Sequence, residues 1–532
     1  MNVINKVTLK FLKKNRARTI VTIIGVILSA AMITAVVALV SSMQNYMVNL
    51  TIVEEGDWHV AAYGVNYKDV QAIRGMDEIS DAAITKALGY SMLEGSKNEY
   101  KPYLYVLELN EDALEMLPIH LISGRLPQNE NELVISSHIL TNGGVNYKVG
   151  DRLTLDIGDR MSEDGFTFGQ KQNFVYEEGE TLEKLVVRDT REFTVVGICE
   201  RLSYRLEPFS APGYTVLTLL NPEAITDTDS FDMYFKLKNP ADSYSIVKKL
   251  GGKAREGYGY NSELLRYMGV SDNDRFIVVL YSLGAIFIAL IMFGSVALIY
   301  NSFSISVSER KKQFGLLSGV GATSRQLRNS VFFEAFVIGG IGIPIGVLSG
   351  LLGIYITLYF VDDLFSSMIS SVVKVPLTLS ISVPAIIVAI LVAFITILIS
   401  AYIPARRSGK MSAMDAIRQV EDIKLTKKQV KTSRLTRLLF GIEGDLAMKN
   451  MKRNRRRYRS TVVSLFISIV LFVSASAYSM YLKDSVESVY QVEKYDLSYY
   501  VQGNKAIDWS NLMKVYDDIV AQDSIEEGSI IK

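Results

Sequence analysis

KFLKKNRAR, residues 10–18, returns near the other end of the 532-residue chain as KNMKRNRRR, residues 449–457. Lys10, Lys13, Asn15 and Arg16 are matched by Lys449, Lys452, Asn454 and Arg455 at a constant offset of 439 residues, and Lys14 and Arg18 by Arg453 and Arg457. Each basic block opens a long apolar run, residues 20–43 and 460–482, and the same offset joins Asp57 to Asp496 and Gly64 to Gly503. Self-similarity at a fixed offset, carried by apolar segments, marks a duplicated membrane protein whose second copy has only begun.

Three more apolar stretches occupy residues 276–303, 330–360 and 382–403. A bilayer core about 30 Å thick requires roughly 20 predominantly apolar residues in a helix, so the chain reads as five spans. The 49% hydrophobic content would also suit a large soluble core, but soluble helices of this length keep a charged face. The first span exceeds the core of a secretory signal, about 7 to 15 residues, and its recurrence at residue 460 marks a retained helix.

The net charge of +1 conceals a strong segregation. Residues 1–19 hold six Lys/Arg and no acid, residues 304–330 five against one, and residues 405–459 seventeen against five. Those segments together carry +22, leaving −21 on the rest. Cytoplasmic loops collect Lys and Arg, so residues 1–19, 304–329 and 404–459 are expected inside, with 44–275, 361–381 and 483–532 outside. The basic runs adjoin apolar spans, where topology and anionic lipid headgroups account for them, and no nucleic-acid partner is expected.

Residues 44–275 contain alternating strand-like runs at 103–107, 151–155 and 193–196, with helical patterns at 68–74, 112–117 and 241–250. The polar stretch 156–190 reads as a mobile loop or a hairpin excursion. The expected fold is thus an α-helical transmembrane protein with a large α+β extracytoplasmic domain between spans one and two, and the start of a second parallel repeat. Cys199 is the only cysteine, so no intrachain disulfide staples that domain.

Between spans two and three, Phe314, Leu317 and Val320 recur at helical spacing behind the basic start Arg310-Lys311-Lys312, which predicts a short amphipathic helix at the membrane face. Gly319 and Gly321 supply a turn, and Thr323 with Gln326 has the spacing of a capping box that starts span three. Span three carries Gly342, Gly346 and Gly350 at four-residue intervals, which allow close helix approach. Its Glu334 is an intramembrane acid and hence a functional candidate, or else a structural group paired with Arg328 or a neighbouring helix.

No Gly-rich loop ends in Lys-Ser/Thr, and Gly251-Gly252-Lys253 is followed by Ala254, so no P-loop is recognised. His59, His120 and His138 have no metal-ligand spacing. Intrinsic catalysis, a bound cofactor and a metal site are not expected.

The stretch Glu309-Arg310-Lys311-Lys312-Gln313-Phe314-Gly315-Leu316-Leu317-Ser318-Gly319-Val320-Gly321-Ala322-Thr323, followed by Phe333-Glu334-Ala335, resembles the motif of the FtsX-like permeases of ABC transporters, which include the MacB and lipoprotein-releasing permeases. Ile403-Pro404-Ala405-Arg406-Arg407, Gly124-Arg125-Leu126-Pro127 and residues 193–198 are similar to the family's pattern as well, in family order. The resemblance implies a coupling helix, with Glu309, Arg310, Lys311, Lys312, Phe314, Gly315, Leu317, Gly319 and Gly321 meeting a separate ATPase dimer that binds ATP and Mg. It implies a second permease half, in cis or from another chain, and an extracytoplasmic substrate or effector. The duplicated pattern also implies that Lys532 is an early end and that the natural protein is several hundred residues longer. The rival expectations are a membrane-anchored regulator of a wall hydrolase or sensor, and a receptor or channel without an ATPase.

Overall fold

The computed structural model describes residues 3–177, 180–226, 228–271, 275–369, 373–409, 434–453 and 509–521, with scattered positions of 462–484. It divides into two units, residues 1–464 and 465–532.

The first unit opens with α1 (Val3–Lys14) and α2 (Arg16–Glu55), separated by Asn15 at φ −106° and ψ 54°. Ile4, Thr8 and Leu12, one turn apart, form the buried side of α1. The apolar α2 has no internal proline and ends at Gly56, whose φ of 97° suits glycine.

The chain then builds β1 (Val60–Asn66), α3 (Tyr67–Arg74), β2 (Ile79–Met92), β3 (Tyr103–Leu109) and α4 (Glu111–Met116). There follow β4 (Leu121–Gly124), β5 (Glu132–Ser136), α5 (His138–Thr141) and β6 (Arg152–Ser162). An excursion carries β7 (Thr167–Phe168), β8 (Tyr176–Glu177) and β9 (Glu180–Thr181), before β10 (Glu183–Cys199) and β11 (Gly213–Leu219). The domain closes with β12 (Ser230–Leu237), α6 (Ser243–Leu250), β13 (Ala254–Tyr260) and α7 (Ser262–Tyr267). Asparagine caps start the short helices: Asn66, Asn110 and Asn261 accept from the backbone N–H of Asp69, Ala113 and Leu264.

The strands form one mixed sheet in the order β13-β1-β12-β2-β3-β11-β5-β10-β6-β7, with β4 added on β10. Its central strands are apolar on both faces. Leu104 and Val106 of β3 join Leu133, Phe193 and Val216, while Leu107 and Leu109 join Trp58, Ala113 and Leu217. β1, reached directly from α2, pairs with β13 through Val60↔Tyr260 and Ala61↔Gly259. The domain is therefore entered and left along two neighbouring strands.

Of residues 156–190, the two ends belong to a long antiparallel hairpin of β6 and β10, paired from Glu183↔Ser162 to Thr194↔Arg152. The fully buried Arg160 organises the excursion. Its guanidinium binds Glu183 at 2.6 and 2.7 Å, donates to the carbonyls of Gly169, Gln172 and Asn173, and lies over the rings of Tyr90, Tyr103 and Phe168.

After the domain come α8 (Phe276–Glu309), α9 (Lys311–Gly319), α10 (Ser324–Ile369) and α11 (Val383–Ser408). Among the described residues, four helices are long and apolar enough to cross a membrane: α2, α8, α10 and α11. They turn Val278, Phe293, Leu348 and Phe360 outward, which costs nothing against lipid. Along α10, Gly342, Gly346 and Gly350 face Val26, Ala30 and Ala31 of α2; a Cβ on Gly346 would stand 2.6 Å from Ala30 Cβ. α12 (Arg434–Arg453) breaks at Gly441. In the second unit, α13 (Trp509–Val520) is the one continuous helix among the described residues, and much of the expected fifth span, 460–482, lies outside them.

Replacing Gly346 by alanine is expected to lower stability by roughly 1–3 kcal/mol through overpacking. Gly353→Ala, where a Cβ meets nothing within 4 Å, is expected to leave it unchanged, as read by thermal unfolding in detergent. A pH dependence follows from His59, which is fully buried and accepts from the N–H of Leu237 at 3.0 Å. Burial, aided by Lys236, lowers its pKa from 6.5 to about 4. The neutral ring's contribution is complete above pH 6.5 and is lost as pH falls towards 4, because the unfolded chain takes up the proton first. The unfolding temperature is expected to fall over that interval in the native protein and less steeply in His59→Gln.

Candidate functional site

Where α8 ends, Arg310 leaves helical geometry at φ −84° and ψ 2°, and α9 starts on the next residue. The helical face that buries Phe314 also carries Arg310, one turn earlier. Phe314 is fully buried in a cluster with Phe303, Val307, Leu327, Val331 and Ala401, against which Leu317 is half-buried.

Arg310 follows Phe314 inward. It is only 1% exposed, and its Nη1 donates to Glu334 Oε2 at 3.0 Å. Ser306 Oγ donates to Glu334 Oε1 at 2.8 Å, so both carboxylate oxygens of the α10 acid are engaged from α8 and its end. Nη2 of Arg310 donates to Thr8 Oγ1 at 3.2 Å. Because Thr8 donates its own proton to Ile4 O, the Ser330 hydroxyl 2.9 Å away is the donor to Thr8. The guanidinium lies between the rings of Phe11 and Phe314, 4.8 and 4.7 Å from their centroids. Four helices, α1, α8, α9 and α10, thus converge on one buried charge pair.

This corrects one expectation and decides another. Arg310 does not present its charge outward, because the apolar seating of Phe314 carries it inside. Of the two partners expected for Glu334, it takes the neighbouring helix, through Ser306 and Arg310 of α8 and its end, rather than Arg328. Glu309 is exposed and forms a two-pronged ion pair with Arg18 at the start of α2. Lys312, Gln313, Leu316, Gly319 and Val320 form the outward side of α9, with Val320 90% exposed and Leu316 53%. Lys311 is half-buried and Gly315 buried. Gly321, at φ 99°, makes the turn into α10, where Thr323 N–H donates to Gln326 Oε1 at 2.9 Å and Gln326 N–H to Thr323 Oγ1 at 3.3 Å.

At the other end of α2, the α+β domain is held by several polar contacts. Arg205 binds Glu55 at 2.6 Å, Asn261 donates to Gly56 O, and His120 lies 2.7 Å from Val53 O. The loop carrying Arg205 continues to Glu207, whose buried carboxylate meets Lys101 Nζ at 2.8 Å, His138 Nδ1 at 2.7 Å and Thr215 N–H at 2.9 Å. Burial alone would raise that carboxyl, yet these partners hold it below its usual range. Lys101 and His138 also line a cavity of about 520 Å³, together with Asn98, Asn142, Arg201 and Phe209. Sequence reading missed this group, since its members are 106 and 69 residues apart. Cys199 is buried, which pushes its thiol up to about 12 and leaves it inert at neutral pH.

The FtsX-like permease C-terminal family model matches residues 285–413, spanning α9 and Glu334, and the MacB-like periplasmic core domain model matches residues 19–251. The chain thus carries an FtsX-like permease domain and a MacB-like periplasmic core domain of the kind found in ABC transporter permeases. The macrolide export ATP-binding/permease protein MacB from two strains of Campylobacter jejuni is 23% identical over 363 residues, 64% of this chain and 52% of the relative. The chain thus spans about half the length of the curated relatives it matches. Among solved structures, the extracellular domain of the noncanonic ABC-type transporter YknZ from Gram-positive bacteria aligns at 10% identity and TM-score 0.23, over 38% of this chain and 98% of that one. The periplasmic region of MacB from Actinobacillus actinomycetemcomitans aligns at 9% identity and TM-score 0.26, over 42% and 97%.

Removing one partner of a buried ion pair costs roughly 3–5 kcal/mol, whereas replacing both by apolar groups is often neutral. Arg310→Met and Glu334→Leu are therefore each expected to destabilise the protein strongly, and the double variant to recover most of the loss. Thermal unfolding of all four forms checks the coupling.

Proposed function

We propose that this chain is the permease subunit of an ABC transporter, and that it receives ATP-driven movement at α9 and passes it to the α+β domain. ATP and Mg are bound by a separate ATPase dimer at the cytoplasmic face, which is the basic face of the helices. The observation that carries this reading is the Arg310–Glu334 pair. It fixes the start of α9 to α8, α10 and α1 while leaving Leu316 and Val320 bare on the outer side. A helix held this way moves with the spans when pushed.

Movement then has a short route outward. Arg18 ties α2 to the end of α8, and α2 runs without interruption to Glu55, where Arg205 grips it. Because β1 and β13 pair with one another, a shift between α2 and α8 is delivered to adjacent strands of one sheet. The cargo exported, extracted or released by that movement is a molecule such as a lipoprotein, peptide or antibiotic. A second permease half, in cis or from another chain, completes the assembly.

Leu316→Glu with Val320→Glu is expected to reduce copurification of a coexpressed ABC ATPase partner at least tenfold, with no fall in unfolding temperature, since both side chains are exposed. Undiminished association would remove α9 from the ATPase contact.

A further inference from the structure

An apolar groove runs along the elbow between α1 and α2, where α10 passes behind it. Leu9 and Leu12 of α1, Ile20 and Ile23 of α2, and Ile338 and Ile341 of α10 enclose about 330 Å³. At its mouth stand Lys13 and Arg16, both exposed, one on each side of the Asn15 break. Among the described residues no carboxylate pairs with either, whereas the next arginine, Arg18, is held by Glu309. The elbow has a defined shape, because the Thr19 hydroxyl lies 3.0 Å from Leu12 O and 3.1 Å from Asn15 O.

The internal repeat supplies a second, independent observation. Lys13, Asn15 and Arg16 return unchanged as Lys452, Asn454 and Arg455. Leu9, Leu12 and Ile23 stay apolar as Met448, Met451 and Val462, while Ile20 becomes Arg459. Positive charge anywhere in the block would satisfy topology. Keeping both cations flanking the asparagine, in register with apolar positions, satisfies a binding site as well.

We propose that this groove binds one anionic phospholipid from the leaflet bordering the basic face, with an acyl chain along the groove and the headgroup phosphate between Lys13 and Arg16. An apolar groove open to the bilayer takes hydrocarbon rather than water. The mouth selects the headgroup. Residues 1–19 hold no acid, so nothing there receives the ammonium of a zwitterionic lipid, while an anionic lipid brings its negative charge between the two cations without adding a third. The bound lipid also steadies α1, whose Thr8 reaches the Arg310–Glu334 pair.

The test uses the whole 532-residue chain in mild detergent, titrated with phosphatidylglycerol or phosphatidylcholine and read by native mass spectrometry. The native chain is expected to bind phosphatidylglycerol at least tenfold more tightly than phosphatidylcholine. At about 1 kcal/mol per cation, with 1.4 kcal/mol per tenfold, Lys13→Gln with Arg16→Gln is expected to remove that preference. Ile341→Trp, which fills the groove from an exposed position, is expected to weaken both lipids with the cations intact. Equal binding of the two lipids by the native chain, an undiminished preference in the glutamine variant, or displacement of phosphatidylglycerol by inorganic phosphate alone would each overturn the proposal.

Discussion

A full positive charge on Arg310 and a full negative charge on Glu334 lie together among helices, shielded from water. Neither is tolerable alone in such a place, because an isolated buried ion loses its hydration without replacement. The two must therefore remain within contact distance, and that requirement joins the end of α8 to the middle of the basic half of α10. Ser306 and Thr8 take up further hydrogen-bonding capacity of the pair, which recruits α1 to the same point. Phe11 and Phe314 close the cation between two rings. The direction in which α9 leaves the helices is a consequence of this arrangement, and so is the identity of the side chains it leaves exposed.

The opposite end of the helices obeys a different constraint. A sheet strand continuous with α2 pairs with the strand that leads towards α8, so the domain stands on two adjacent, hydrogen-bonded supports. Backbone pairing in a sheet is stiff against relative sliding, because a shift of one residue would turn every side chain to the wrong face. Relative sliding of β1 and β13 is therefore resisted by the pairing of the whole sheet. Arg205 and Glu55 extend the contact from the strands to the loop beside the 520 Å³ cavity. Charge pairs thus mark both ends of α2, with Arg18 at its start and Glu55 at its end.

Much of this was legible from residues alone. Apolar length located α2, α8, α10 and α11; the alternation at 103–107 and 193–196 located β3 and β10; Thr323 and Gln326 gave the start of α10. Glycines at four-residue spacing identified the face of α10, and the face proves to be the one against α2. The hairpin at 156–190 was harder to read, since its strands are polar on exposed positions and are held by Arg160, whose carbonyl partners lie in the irregular excursion. The Glu207 group left no local pattern, because Lys101, His138 and Thr215 come from three separate segments.

The sequence by itself determined four spans, the segregation of charge and the mixed character of the inserted domain. Each is a property of composition or of period within one segment, and hydrophobic burial in water or lipid acts on those directly. Only the tertiary structure decided which cation of the basic loop turns inward, which partner Glu334 takes, and which residues of α9 remain outside. Arg310, Lys311 and Lys312 are chemically alike in a string. What separates them is the helical phase set by Phe314 and the presence, 24 residues further on, of a carboxylate that cannot stay buried unpaired.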